Sequence, residues 1–229
     1  MAAFVPFHHV PPARRVLDRA RVVQTALELM DQVGLDGLTM RRLAEALGVT
    51  AGSLYRHVRD KDELLVLLAD ALSGQVPMLA EDIPWRDALR SMAAGYRRVL
   101  LAHRDAARLL AGTRPAGPRR LQHIETMLRV LVAAGFNGAD AAWAAYHFNN
   151  LVTESVADEV RLGAAAAAAG TTRGELLARA RAQLRALPPA AFPTLHRLAD
   201  QVAADDPEAV LDYGVRLLIG GLDSLRPRA

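Results

Sequence analysis

Apolar residues recur along this chain at helical spacing almost throughout, and stretches of strict apolar–polar alternation are missing. A first amphipathic segment runs from about Arg19 to Val33, with Val23, Ala26, Leu27, Met30 and Val33 on one face and Arg21, Gln24 and Glu28 opposite. Gly34 predicts its end, because glycine tolerates the left-handed backbone of a helix stop. Two much shorter segments follow in "TMRRLAEALGVTAGSLYRHVRDK", residues 39–61. Thr39 predicts an N-cap, with Leu38 and Leu43 spaced as a hydrophobic staple. Leu43, Ala44 and Leu47 give the buried stripe, and Gly48 the stop. Thr50 predicts a second cap, with Val49 and Leu54 repeating the staple. Leu54 and Val58 then face inward, leaving Ser53, Arg56 and His57 outward. Asp60 and Glu63 predict a third cap, reciprocal in kind, opening a long helix through Leu64, Leu67, Leu68 and Leu72. Two short helices about a glycine turn, each capped, describe a helix-turn-helix.

Residues 84–225 predict a larger helical body. "PWRDALRSMAAGYRRVLLAHRDAARLLAGTRP" gives one long amphipathic helix and a shorter one ending at Gly112. Pro115 and Pro118 break the chain before "RRLQHIETMLRVLVAAGF". A long helix rich in small residues runs from Ala139 to Leu162. The tract "GAAAAAAG" reads as a flexible connection and "TTRGELLARARAQLRALPPAAFP" as another helix. The last helix, about Pro207 to Leu225, carries Val210, Gly214, Leu217 and Gly221 along one stripe. Such small residues let helix backbones approach closely, within one chain or between two.

Composition narrows the function. A chain of 229 residues with 52% apolar content can bury a substantial core. It has no cysteine, which excludes disulfides and thiolate zinc sites. No long uncharged apolar run is present, so no membrane span is expected. "MAAFVPFHHVPPARRV" places its charge after the apolar part, the reverse of a secretory signal, and the expected location is cytoplasmic. Net charge is only +3, yet Arg14, Arg15, Arg19, Arg21, Arg41, Arg42, Arg56, Arg59 and Lys61, the single lysine, fall near the N-terminus. Phosphate contact needs such a local footprint; a solvated surface is the alternative. No serine elbow, phosphate loop or GxGxxG is present, and His103 and His123 have no carboxylate at metal-ligand spacing. Neither catalysis nor a metal or cofactor is expected.

The small residues at Ala51 and Gly52 then acquire a reason. A recognition helix enters the major groove by its N-terminal end, where bulk would hold the backbone off the DNA. Arg56 can fork onto guanine O6 and N7, and Ser53 can meet base or phosphate. Tyr55 and Lys61 suit phosphate, Lys61 from the positive end of the next helix. A helical adaptor that binds only protein is the competing class; it would leave the face from Ala51 to Lys61 idle.

At this point "GLDGLTMRRLAEALGVTAGSLYRHVRDKDELL" resembles the DNA-binding segment of the TetR family, over about residues 18–72. The resemblance implies an all-α fold, a three-helix DNA-binding part with a larger helical ligand-binding and dimerisation part, and a homodimer on a palindromic operator. Thr39 and Arg41 would meet DNA from the first helix of the motif, and Ala51, Gly52, Ser53, Tyr55, Arg56, His57 and Lys61 from the second and its exit. "WRDALRSMAAGYRRVLLAHRDAARLLAGTRP", with Gly135-Phe136 further on, is similar to the ligand-binding domain of the tetracycline repressors within that family. This implies a four-helix dimer bundle, assigned to residues 139–162 and 207–225 of each subunit. It also implies a pocket near Met92, Tyr96, Leu110, Thr113, Arg114, Met127, Leu131, Trp143, Tyr146, His147 and Asn150. The expected division is an arm over residues 1–17, a DNA-binding part over 18–64 and the remainder over 65–229. Arg14 and Arg15 lie on that arm, within reach of DNA backbone or minor groove.

The departures are as informative. The tetracycline repressors hold their drug as a metal chelate through a histidine three residues before the Thr of Gly-Thr-Arg-Pro; Leu110 stands there. Met92 replaces a pocket asparagine and Tyr96 a phenylalanine. Leucine cannot ligate magnesium. The expected effector is therefore a largely apolar small molecule, oriented by Tyr96, Arg114 and Asn150, that releases the protein from DNA, with repression the usual outcome in the family.

Overall fold

The computed structural model describes residues 17–80 and 82–225. All regular structure among them is helical. Helix α1 (Arg19–Gly37) starts where the Asp18 carboxylate accepts the Arg21 N–H at 2.7 Å. Gly34 breaks the regular helix where the sequence predicts its stop. Its backbone leaves the helix (φ 74, ψ 171), conformations that only glycine adopts readily, and one further turn follows. The break is tolerated because the Leu35 N–H finds the Asp105 carboxylate at 2.8 Å, a partner supplied from far along the chain.

The caps of the next helices are local. Thr39 accepts from Arg42 N–H at 3.2 Å and opens α2 (Met40–Leu47), which stops at Gly48 in the left-handed region. Thr50 accepts from Ser53 N–H at 3.2 Å and opens α3 (Ala51–Tyr55). Asp60 accepts from Glu63 N–H at 2.8 Å and opens α4 (Lys61–Ser73). The reciprocal half of that last cap does not form as expected. The Glu63 carboxylate accepts instead from Arg59 N–H at 2.7 Å and from the Arg19 guanidinium at 2.6 Å, because α1 presents a charged competitor.

The body comprises α5 (Trp85–Ala102), α6 (Ala106–Gly112), α7 (Pro118–Ala133), α8 (Gly138–Ala168), α9 (Arg173–Ala186), α10 (Pro193–Arg197), α11 (Ala199–Val202) and α12 (Pro207–Leu225). The alanine tract is helix rather than flexible connection: α8 runs on through Ala168, as the highest helix propensity of any residue dictates. The short α10 and α11 had no signal in the periodicity. Helix α9 buries no residue and is tied down through Arg173–Asp205 at 2.5 Å on its own first turn and Arg185–Asp200 at 2.6 Å on its last.

One apolar core extends from Val22 to Leu222. Helix α4 lies across it, with Leu64, Leu68 and Leu72 fully buried, and packs on α1, α5, α6 and α7. Helix α8 packs on α5, α6, α7 and α12. The stripe on α12 divides: Gly214 lets Leu151 of α8 approach within the chain, while Val210 and Leu217 are exposed. Tyr213 on α12 and Trp143 and Tyr146 on α8 are exposed as well, leaving broad apolar area uncovered on these two helices.

Helix α7 has no cap of its own. Asp70 reaches across from α4, and its carboxylate accepts the Arg120 N–H at 2.9 Å. Gly117 makes room for this: a methyl group there would collide with the Asp70 carboxylate.

Candidate nucleic-acid interface and ligand cavity

The helix-turn-helix turns Leu43, Leu47, Leu54 and Val58 inward. Thr39, Arg41, Ala51, Gly52, Tyr55 and Arg56 are consequently exposed, with Ser53, His57 and Lys61 half-buried beside them. Nothing lies within 4 Å of where a side chain at Gly52 would begin, so the start of α3 is open to a close approach. The Thr50 hydroxyl donates to Ser53 Oγ at 3.1 Å, and Arg56 Nη2 donates to the same oxygen at 3.1 Å. This chain aims the Arg56 guanidinium from the N-terminal end of α3 and occupies one of its five N–H groups.

Other cations of this region are engaged in holding it together. Arg19 Nε donates to the His57 carbonyl at 3.2 Å, in addition to its pair with Glu63. Arg42 donates to the Gly37 carbonyl at 3.0 Å, and Arg59 pairs with Asp60 at 2.7 Å. The Glu63 N–H and then Arg59 hold the Asp60 carboxyl below its usual range. Arg41 has only a solvated pair with Glu45 at 3.6 Å, a contact of little energetic weight. Arg14 and Arg15 lie outside the described residues; Leu17, at the end of the expected arm, packs on the core.

A half-open cavity of about 40 Å³ lies between α5, α7 and α8. Its lining is Met92, Tyr96, His123, Ile124, Met127, Ala145, Phe148, Asn149, Val152 and Thr153. One water needs roughly 10–15 Å³, so the space admits a few waters and nothing larger until side chains move. Met92 and Met127 are the side chains best suited to moving, being unbranched and soft.

Of the expected pocket residues, Met92, Tyr96 and Met127 meet at this cavity. Leu110 and Leu131 are buried in the core and do not line it. Thr113 is engaged, its hydroxyl donating to the Leu109 carbonyl at 2.8 Å, and Arg114 is exposed. Trp143, Tyr146, His147 and Asn150 lie on the other face of α8, exposed. Trp143 and His147 border an open groove shared with Leu217, Gly221 and Leu225 of α12. The residues that sequence reasoning missed are His123, Ile124, Ala145, Phe148, Asn149, Val152 and Thr153. Ala145, Phe148, Asn149, Val152 and Thr153 had a signal, a second stripe at helical spacing on α8, whereas His123 and Ile124 on α7 had none.

The polar end of the cavity adjoins α4. Burial pushes the Tyr96 phenol up, against the opposing influence of the Ser73 hydroxyl and the Arg120 charge. Burial pushes the His123 imidazole down, against the backbone of Ser73 and Val76. His123 Nε2 is 2.9 Å from the Ser73 carbonyl, and its ring meets Tyr96 edge to face at 5.6 Å. Burial also lowers Arg120, whose guanidinium donates to the Leu110 carbonyl at 2.8 Å and to Thr113 O at 3.0 Å and Oγ1 at 2.9 Å. Among the described residues no cluster of three His, Cys, Asp or Glu could hold a metal ion.

Residues 22–68 match the bacterial regulatory proteins of the tetR family, and residues 76–226 match the tetracyclin repressor-like C-terminal domain. The chain belongs to the TetR family. It is 37% identical over 215 residues to the tetracycline repressor protein class C of Escherichia coli, covering 92% of each chain. It superposes on the Streptomyces coelicolor TetR family protein ActR, in complex with actinorhodin, with a TM-score of 0.85 and 30% identity, over 93% of this chain and 99% of that one. A TetR variant from Acinetobacter baumannii AYE, in complex with minocycline, superposes with a TM-score of 0.69 and 32% identity, over 93% and 96%. As a TetR-family protein this chain is a ligand-responsive transcriptional regulator that binds operator DNA as a homodimer. None of its described helices is long and apolar enough to cross a membrane.

Proposed function

We propose that residues 18–64 read the operator and that residues 65–229 hold the effector and the partner subunit, with α4 belonging mechanically to both. Arg56 reads a base, Lys61 and Tyr55 anchor phosphate, and Thr39, Arg41, Ala51, Gly52, Ser53 and His57 line the approach. The exposed end of α3, with Arg56 braced on Ser53, carries this reading. Replacing Arg56 by Ala should cost about 1–3 kcal/mol at one base pair and relax specificity there. Lys61→Ala should weaken all sequences alike and flatten the salt dependence. Shift assays with genomic fragments supply the operator; unchanged sequence preference in Arg56→Ala would remove α3 from this role.

The effector occupies the cavity between α5, α7 and α8, is largely apolar, and acts without magnesium. The apolar lining and Leu110 support this reading. Trp143 and Tyr146, with Tyr213 and Leu217 of α12, belong to the dimer contact rather than to the cavity, since they are exposed on the opposite side of α8. Occupation moves α4 and spoils the spacing of about 34 Å that two recognition helices need on B-DNA. Operator release by tetracycline that disappears on adding a chelator would overturn the metal-free assignment.

A further inference from the structure

We infer that His123 is a positioning residue for DNA binding: its hydrogen bond to the Ser73 carbonyl sets the end of α4, and an occupant of the cavity acts there. The inference rests on reading the cavity as the effector site. Two residues one turn apart on α7 meet two residues one turn apart on α4. Arg120 presents its N–H to the Asp70 carboxylate at 2.9 Å, and His123 presents Nε2 to the Ser73 carbonyl at 2.9 Å. A carbonyl can only accept, so Nε2 carries the hydrogen.

The two contacts differ in one respect. His123 lines the cavity and Arg120 does not. Any occupant larger than a few waters displaces lining side chains; Tyr96 among them meets the Ser73 hydroxyl, and His123 is the one bonded to the backbone of α4. Displacing its ring leaves the buried Ser73 carbonyl with the Val76 N–H alone, 3.0 Å away. The Asp70–Arg120 contact stays in place as a pivot. The groups facing His123 are Tyr96 from α5 and the backbone of Ser73 and Val76 at the end of α4. Helix α4 spans 13 residues, roughly 20 Å at about 1.5 Å each, with Lys61 at its other end. A shift of its last turn therefore displaces the DNA-contacting end.

The test uses the full-length dimer without effector, comparing wild type, His123→Leu and His123→Gln. Glutamine offers an N–H in place of Nε2; leucine fills the space and offers none. Binding to operator and to a random-sequence duplex is measured by anisotropy, with hydrogen exchange of residues 69–79 followed separately. His123→Leu should lose about tenfold in operator-to-random preference and exchange faster at the end of α4, while His123→Gln should stay within about threefold of wild type. Equal behaviour of Leu and Gln, or a lower melting temperature with an unchanged preference ratio, overturns the inference. Should wild type itself fail to prefer operator, the DNA reading falls, and the exchange data still decide the contact to α4.

Discussion

In α2, α3 and α4 the side chain that caps each helix sits directly before it, whereas the cap of α7 comes from Asp70, 50 positions away. The same contrast holds for charges. Arg42 and Arg59 bond to partners within five positions, while Asp31 and Asp36 tie α1 to His103, Arg104 and Arg108, 72 or 73 positions away; Arg19, bonded to His57 and Glu63, is the exception at the DNA-reading end. The DNA-reading end is thus assembled by local rules and the body by tertiary ones. A locally capped reading head keeps its shape wherever it is carried; a body held by cross-chain contacts can change shape when one contact is lost.

The strongest way to break this comparison is at α4, where the two regions share a core. Leu68→Ala should destabilise by about 2–5 kcal/mol, since it opens a cavity at a fully buried site. Both regions should unfold together in a denaturant titration; two separated transitions would show the shared core to be unimportant. Next comes the tertiary cap. Asp70→Ala leaves the buried Arg120 N–H without its acceptor and should cost about 1–3 kcal/mol in the same titration. The local cap is worth less: Thr39→Ala should cost about 1 kcal/mol, and a larger loss than for Asp70→Ala would invert the contrast.

The smallest effect concerns α9. Bonds from Thr171 and Thr172 hold the exposed Glu175 carboxyl at about 2, below its ordinary 4.5. A depressed folded value means the contribution is complete above the ordinary one and lost as pH falls through the folded one. The capping box should therefore weaken between pH 4.5 and about 2, read as faster amide exchange at the start of α9 while α2 and α3 are unchanged.

How legible each part was follows from the same contrast. Thr39, Thr50 and Asp60 were readable because a cap and its target are three residues apart. Glu63 was misassigned because its carboxylate answers Arg19, which no local rule brings near. The cavity was half-readable. Met92, Tyr96 and Met127 sit there, but α8 carries two stripes at helical spacing, and the resemblance that implied Trp143, Tyr146, His147 and Asn150 did not say which stripe faces the body. Periodicity reports that a helix has an apolar face; it does not say whether that face meets its own body or another subunit. His123 gave no signal, because its partner is a backbone carbonyl.

One consequence is practical. Lys61 is the single lysine, half-buried at the first turn of α4, and every other basic long side chain is an arginine. An amine-directed reagent thus has one side-chain target in the whole chain, at the start of α4. With Lys61 anchoring phosphate as proposed, operator should protect it from acylation, free of the overlapping signals that a lysine-rich regulator would give; equal acylation with and without operator would remove Lys61 from that role.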